Sequence, residues 1–410
     1  MLAQDGSVLY AQSARDPLTP ASTIKLVVAV TALHDLGPRA RFQTFLGATK
    51  LPGVDGRLTV PLWLVGSGDP ALRYTHLRGG VKLLRAGGLR SVPRVMVDAH
   101  RLSGPEMNPL WNPDDANEPY EVATSGISLD EDTIEFHIEG TSPGRPARVY
   151  VEPPSRSVRW TGTVTTRAMG DGVDIEPIAP NTFVLRGYLG AGGKVTEYLP
   201  VHGLPAYVGA VTDRMLEDRG VKVHRRAGVG IAPAGLHVLW DHRSPTLREL
   251  VKHMLVHSDN HYAEQLLRRL GGRDGVAATG GAGIRAELAF LRSARIPTEG
   301  LQLYDGSGLA HSDRVSALTL ARLLEYARGA GDEIYPLLAR GGINGTLRNY
   351  PFQAARGRVR AKSGHLDDVD ALAGYLDTRR HGRLTFVFLI QGTRDVDGAV
   401  TAALDRTAAF

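Results

Sequence analysis

Between about Gly47 and Val238 the chain is written in short β-type runs broken by glycine and proline, whereas the residues on either side carry helical patterns. Leu58 to Val65, Val95 to Asp98, Thr133 to Ile138, Arg148 to Val151 and Phe183 to Gly187 are such runs. A β-rich block set between helical flanks predicts an α/β core interrupted by an insertion. With 410 residues, the chain is long enough for two or three domains. The boundaries expected are 1–41 and 241–410 for the core, 42–75 and 146–240 for an inserted β-rich domain, and 76–145 for a smaller domain nested within it.

The flanks can be read element by element. Pro20-Ala21 leads into a run from Ser22 to Val30 that is apolar nearly all round, and Gly37-Pro38 supplies a stop, so a buried central helix is predicted from about Ser22. Ser244-Pro245 reads as an N-cap and first-turn pair before a helix to His257, and a second helical run ends at Gly271-Gly272. Ser258-Asp259-Asn260 falls at the break between them. Helical stretches follow at Gly283–Ala294 and Ser316–Arg328, and the chain closes on three strand-like runs, Arg358–Ser363, Ala371–Asp377 and Leu384–Gln391, the last two joined by a turn at Gly382.

Composition narrows the class. At 42% hydrophobic and 22% charged residues the chain reads as globular, and its longest apolar run, Leu384 to Ile390, is too short to cross a bilayer, so no transmembrane anchor is expected. Leu2 to Tyr10 includes Gln4 and Asp5 and does not read as the continuous apolar stretch of a signal peptide. The net charge of +5 is spread without interleaved aromatics, so nucleic-acid binding is not expected. The absence of cysteine excludes disulfides, thiol nucleophiles and thiolate metal sites.

Ser22-x-x-Lys25 places a hydroxyl and an amine one helical turn apart on one face. A serine nucleophile needs a neighbour to accept its proton. Lysine can do so only if burial or a nearby positive charge lowers its pKa from ~10.4; arginine, always protonated, cannot. Taken alone the pattern reads first as an N-capping serine followed by a solvent-seeking lysine. Its company changes that reading. Ser258-x-Asn260 is the one Ser-x-Asn in the chain, and Lys362-Ser363-Gly364 follows it, again using lysine in a chain with seven lysines and 41 arginines. Ser22 opens a helix, Ser258 sits between helices, and Lys362 lies near the end of a strand where Gly364 permits close backbone approach of a ligand.

The triplet SxxK, SxN, K-[ST]-G is that of penicillin-binding proteins and class A β-lactamases. More widely, the chain resembles the D-alanyl-D-alanine carboxypeptidase/endopeptidase family of low-molecular-mass class C penicillin-binding proteins, peptidase family S13. The matching stretches are Pro20-Ala-Ser-Thr-Ile-Lys25, Gly66-Ser-Gly-Asp-Pro70, His257-Ser-Asp-Asn260 with Ala263-Glu264, Asp305-Gly-Ser-Gly-Leu309, Gly345-Thr-Leu-Arg348, Ala361-Lys-Ser-Gly364 and Leu372-Ala-Gly-Tyr375. The resemblance implies a transpeptidase/β-lactamase-like fold, an antiparallel sheet flanked by helices, with β-rich domains inserted. It also implies hydrolysis of D-Ala-D-Ala, and of D-alanyl cross-links, in peptidoglycan stem peptides without cofactor or metal. β-Lactams would be covalent inhibitors, and the location periplasmic or otherwise extracytoplasmic. By the same resemblance Ser22 is the acylated nucleophile, Lys25 its base, Ser258 the proton relay to the leaving amine and Asn260 a holder of Lys25 and substrate backbone. Lys362 and Ser363 would bind the terminal carboxylate, and the N–H groups of Ser22 and His365 would form the oxyanion hole. A second ammonium at Lys362 is expected to disfavour protonation of both lysines.

Two positions depart from the family pattern. His365 stands where a small hydroxyl residue is usual and is expected to crowd or re-charge the carboxylate pocket. His311 stands where arginine is frequent, while Asp115, following Trp111, matches an aspartate that relatives use to hold the diamino-acid side chain. The pair suggests a stem peptide whose diamino acid lacks the extra carboxylate of diaminopimelate.

Other motifs carry less. Gly140-Thr-Ser142-Pro-Gly144 fits GxSxG, but Pro143 has no N–H to stabilise an oxyanion, so it reads as a turn. His253 and His257 have zinc-protease spacing, but Met254 replaces the glutamate. Gly190-Ala-Gly-Gly-Lys194 lacks the features of a phosphate loop and reads as a hairpin turn. A serine β-lactamase of the same fold would need a deacylating base, and no Glu-x-x-x-Asn element occurs between Ser258 and Lys362, while the large β-rich insertion after the nucleophile helix argues against an esterase using the same Ser-Lys pair. A non-hydrolytic penicillin-sensing or wall-binding module is the remaining alternative.

Overall fold

In the computed structural model, which describes residues 1–410 apart from 113–117, 119, 122, 273–277, 332, 393–396 and 410, the helix expected near Ser22 forms in two pieces. A 3₁₀ turn, Ala21–Ile24, runs directly into α1, Lys25–Asp35, whose residues from Lys25 to Ala32 are all buried. Burial on every side explains why this segment has no polar face.

The chain divides into two compact units, Met1–Arg41 with Asn108–Asn112 and Pro245–Phe410, and Phe42–Met107 with Pro113–Ser244. The first contains α1 and then α2 (Leu247–His257), α3 (Asn260–Gly271), α4 (Gly280–Ser293) and α5 (Ala317–Gly329). An antiparallel sheet follows in the order β1 (Ala339–Arg340), β2 (Val359–Leu366), β3 (Val369–Asp377), β4 (Arg383–Gln391), and the unit closes on α6 (Asp397–Ala409). The central strand β3 is buried from Val369 to Leu376 because both of its faces are covered. Leu372 and Leu376 join Val400 and Leu404 of α6 in one apolar cluster, while on the other face Tyr375 donates to the Leu324 carbonyl of α5. This is the antiparallel sheet between helices that the resemblance implies.

Two details differ from the sequence reading. The cap of α2 is Thr246 rather than Ser244, because Thr246 and Glu249 form a reciprocal capping box; the Ser244 hydroxyl instead accepts the Phe42 N–H at 2.9 Å. Helix α6 was not anticipated, although Val400, Leu404 and Ala408 line one buried face of it.

The inserted unit is built on a mixed five-stranded sheet in the order Lys222–Val229, Ser91–Asp98, Leu62–Val65, Gln43–Ala48, His237–Arg243. Strands from 133 to 200 form two further sheets, of three and four strands. Ser91–Asp98 lies between strands from 42–75 and 146–240, so the expected nested segment 76–145 shares a sheet with its surroundings. Pairing of His237–Arg243 with Gln43–Ala48 likewise moves the outer border from 241 to 245. The β-rich reading also passed over two helices, Tyr74–Ala86 and Leu204–Glu217. The turn at Gly190 to Gly193 joins strands of different sheets and is therefore not a hairpin.

Candidate active site

Ser22 lies in the 3₁₀ turn, where residues three apart eclipse one another, so its hydroxyl sits directly beneath the Lys25 side chain. Lys25 Nζ is 2.8 Å from Ser22 Oγ, 2.7 Å from Asn260 Oδ1 and 2.6 Å from the Ser307 carbonyl oxygen. The Ser22 hydroxyl is itself 3.3 Å from that carbonyl. Ala21, immediately before the serine, has φ +46°, costly for a residue with a Cβ. Two glycines clasp it. A Cβ on Gly308, itself at φ +82°, would lie 2.1 Å from the Ala21 carbonyl oxygen, and one on Gly364 would lie 2.9 Å from both the Pro20 carbonyl oxygen and the Ser22 nitrogen. The close approach expected at Gly364 is thus made to the backbone that presents the serine.

Ser258 ends α2 in the left-handed conformation, φ +61°, and that reversal lets α3 start at Asn260. Asp259 caps α3 by accepting the Tyr262 N–H at 3.0 Å, and its other oxygen meets His253 Nε2 at 3.1 Å. Ser258 Oγ accepts from Lys362 Nζ at 2.8 Å, and the same nitrogen donates to the Ser363 carbonyl. The structure therefore brings together Ser22, Lys25 and Asn260 in one set of contacts and Ser258 and Lys362 in another.

Strand alternation decides the rest of β2. Gly364 faces the 3₁₀ turn that carries Ser22 and Lys362 shares its face, whereas Ser363 and His365 point to the other face. Ser363 Oγ donates to Thr346 Oγ1 at 2.7 Å. The exposed His365 ring is turned to Asp370 on β3, Nδ1 to Oδ1 2.7 Å. His311 is exposed, and its carbonyl accepts from Arg314 Nη1 at 2.7 Å and Thr19 Oγ1 at 3.4 Å. Asp115 lies outside the described residues, although Trp111 is buried with its indole N–H donating to Asp305 Oδ2 at 2.8 Å.

Burial is the main reason that the Lys25 pKa falls to about 8; Asp305, Glu264 and Asp259 oppose the fall. Lys362 is held well below the ordinary lysine value by burial and then by the charge of Lys25. The expected mutual repulsion is thus expressed at Lys362, while desolvation governs Lys25. A buried acidic group lies beyond Ser307. Glu264 is pushed up to about 7 by burial and by Asp305, and Asp313 to about 10 by the same two causes. Ser307, Glu264 and Asp305 received no role from the sequence; Ala263-Glu264 and Asp305-Gly-Ser-Gly-Leu309 among the matching stretches were the available signal.

A sheet between helices, carrying a half-buried serine beside a buried lysine of lowered pKa, defines a serine-lysine hydrolase of the penicillin-binding type. The profile of the D-Ala-D-Ala carboxypeptidase 3 (S13) family matches residues 2–409, and the chain belongs to that family. It is similar to the D-alanyl-D-alanine carboxypeptidase of Actinomadura sp. (strain R39), 30% identical over 94% of this chain and 76% of the relative. Carboxypeptidase DacB of Mycolicibacterium smegmatis is 29% identical over 94% of this chain and 74% of its own length. In fold it matches penicillin binding protein 4 (dacB) from Haemophilus influenzae with TM-score 0.83, at 23% identity, covering 96% of this chain and 89% of that one. A predatory endopeptidase of Bdellovibrio bacteriovorus, in complex with an immunity protein, matches with TM-score 0.57 at 15% identity over 99% of this chain and 92% of that one. The protein is accordingly a serine-type peptidase of the D-Ala-D-Ala carboxypeptidase family. Among the described residues no helix is long and apolar enough to cross a membrane.

Proposed function

We propose that the protein hydrolyses the terminal D-Ala-D-Ala bond of peptidoglycan stem peptides, and D-alanyl cross-links, through an acyl-Ser22 intermediate outside the cytoplasm. The observation that carries this reading is the 2.8 Å contact between Ser22 Oγ and a buried Lys25 whose pKa is lowered to about 8. An amine so depressed is neutral often enough at working pH to take the serine proton as Oγ attacks the D-alanyl carbonyl. The N–H groups of Ser22 and His365 would hold the oxyanion. Ser258 would pass a proton to the departing amine, with Lys362 beside it, and water would then release the acyl group. The terminal carboxylate would bind at Lys362, Ser363 and Thr346, where its charge would favour the ammonium form of Lys362 that burial disfavours.

β-Lactams share the D-alanyl carbonyl and carboxylate and should acylate Ser22. Intact-mass spectrometry after incubation with benzylpenicillin, on the wild type and on Ser22→Ala, tests the reading. One penicilloyl adduct on the wild type and none on Ser22→Ala is expected; an adduct surviving the substitution, or none on either, would overturn it. With His311 in place of arginine, the preferred stem peptide should carry a diamino acid without a second carboxylate. Competing lysine or ornithine peptides against diaminopimelate peptides checks this, and preference for diaminopimelate would refute it.

A further inference from the structure

Among the described residues three groups surround Lys25 Nζ, and they are not equivalent. Asn260 Oδ1 and the Ser307 carbonyl oxygen only accept hydrogen bonds, whereas the Ser22 hydroxyl both donates and accepts. A neutral amine has two N–H bonds and one lone pair. With its two N–H bonds taken by the two acceptors, the lone pair has one remaining neighbour, the Ser22 hydroxyl. The Ser307 carbonyl is therefore half of the device that aims Lys25 at the nucleophile.

A main-chain carbonyl does this only if the residue that carries it is held on both sides. Glu264 Oε1 accepts the N–H groups of Gly306 at 2.8 Å and Ser307 at 2.9 Å, and Asp305 takes those of Gly308 at 2.7 Å and Ala310 at 2.7 Å. Both carboxyl groups are buried. Glu264 follows Asn260 by one turn of α3, so a single helix face reaches Lys25 twice, directly through Asn260 and indirectly through Ser307, whose own N–H Glu264 holds while Asp305 holds the Gly308 N–H of the carbonyl's peptide.

We infer that Glu264 is a positioning residue that aims the Lys25 amine at Ser22 by fixing, on its N-terminal side, the residue that offers the Ser307 carbonyl. The inference rests on the acyl-Ser22 reading above. Charged groups acting on Lys25 are Asp305 in the loop and Glu264 and Asp259 at α3, and Lys25 in turn acts on Lys362 of β2. Glu264 is faced in turn by Asp305, Arg268 and Glu287.

Single-turnover acylation by benzylpenicillin, normalised to folded protein and followed against pH, tests it on wild type, Glu264→Gln and Glu264→Ala. Glu264→Gln keeps an acceptor oxygen for both N–H groups and should retain the limiting acylation rate within about threefold, while the acid limb moves to lower pH because a negative charge opposing deprotonation of Lys25 is gone. Glu264→Ala should lower the limiting rate by about tenfold to a hundredfold, with the concentration for half-maximal rate little changed. If Glu264→Ala does not fold, Glu264→Gln decides alone: an unmoved acid limb, or a limiting rate falling more than about tenfold, overturns the inference. Equal rates in wild type and a folded Glu264→Ala also overturn it. Failure of the wild type itself to acylate would instead remove the acyl-Ser22 reading.

Discussion

Lys362 Nζ lies 2.8 Å from Ser258 Oγ across 104 residues of chain, so the second and third motifs form one hydrogen-bonded unit. Lys362 is buried, and its lowered pKa makes it a ready proton partner for that hydroxyl. Ser258→Ala should lower the second-order acylation constant for benzylpenicillin by about 10²-fold or more, the usual contribution of a positioned acid or base. Quenched-flow mass spectrometry reads this directly, and a loss under about fivefold would take Ser258 out of the proton path.

The pH dependence follows from Lys25. The reaction needs the neutral amine, and a pKa lowered to about 8 means that protonation removes it as pH falls through that value. The acid limb of kcat/KM should therefore have its midpoint near pH 8, with activity rising toward alkaline pH. A midpoint between 4 and 5, where unperturbed carboxylates titrate, would reassign the base. Lys25→Arg should leave no measurable acylation at any pH, because a guanidinium cannot take the proton.

The parts of this site that were readable in advance are side chains tied to local geometry: Ser22 and Lys25 one turn apart, Ser258 and Asn260 at a helix break, Lys362 on a strand. Ser307 was not readable in the same way. It contributes a carbonyl oxygen, which every residue carries, and the N–H groups of Ser307 and Gly308 that fix it on either side are equally anonymous. The eclipsing of Ser22 and Lys25 depends on a 3₁₀ turn that a run of apolar residues does not distinguish from an α-helix. The inserted unit illustrates the same limit at larger scale. Its strands were visible as β-type runs, but the interleaving of 42–75, 76–145 and 146–240 in shared sheets is a matter of long-range pairing.

Gly364 turns that long-range packing into a measurable requirement. An added Cβ would lie 2.9 Å from the Ser22 nitrogen and 3.0 Å from that of Thr23, both backbone atoms of the turn that presents the nucleophile. Gly364→Ala should destabilise the unit by about 1–3 kcal/mol, as overpacking does, and should also abolish most penicilloyl formation because β2 can relieve the contact only by leaving Ser22. Thermal unfolding together with adduct yield checks both. Destabilisation with full adduct formation would mean that β2 need not touch the turn for catalysis.

His365 provides the contrast between main chain and side chain at one position. Strand alternation sets its ring on the face opposite Lys362, where Asp370 engages it 2.7 Å away and 73% of the side chain remains exposed. Ser363 shares that face, so the crowded or re-charged carboxylate pocket that sequence alone suggests turns on whether Asp370 holds the ring clear of a carboxylate bound there. His365→Ser should leave kcat/KM for a D-Ala-D-Ala peptide within about fivefold of wild type, the kinetic equivalent of the roughly 1 kcal/mol that an exposed charge contact contributes. Asp370→Asn should fall within the same limit. A change of about a hundredfold in KM with kcat preserved would show instead that the ring reaches the substrate carboxylate, because lost ground-state binding moves KM alone.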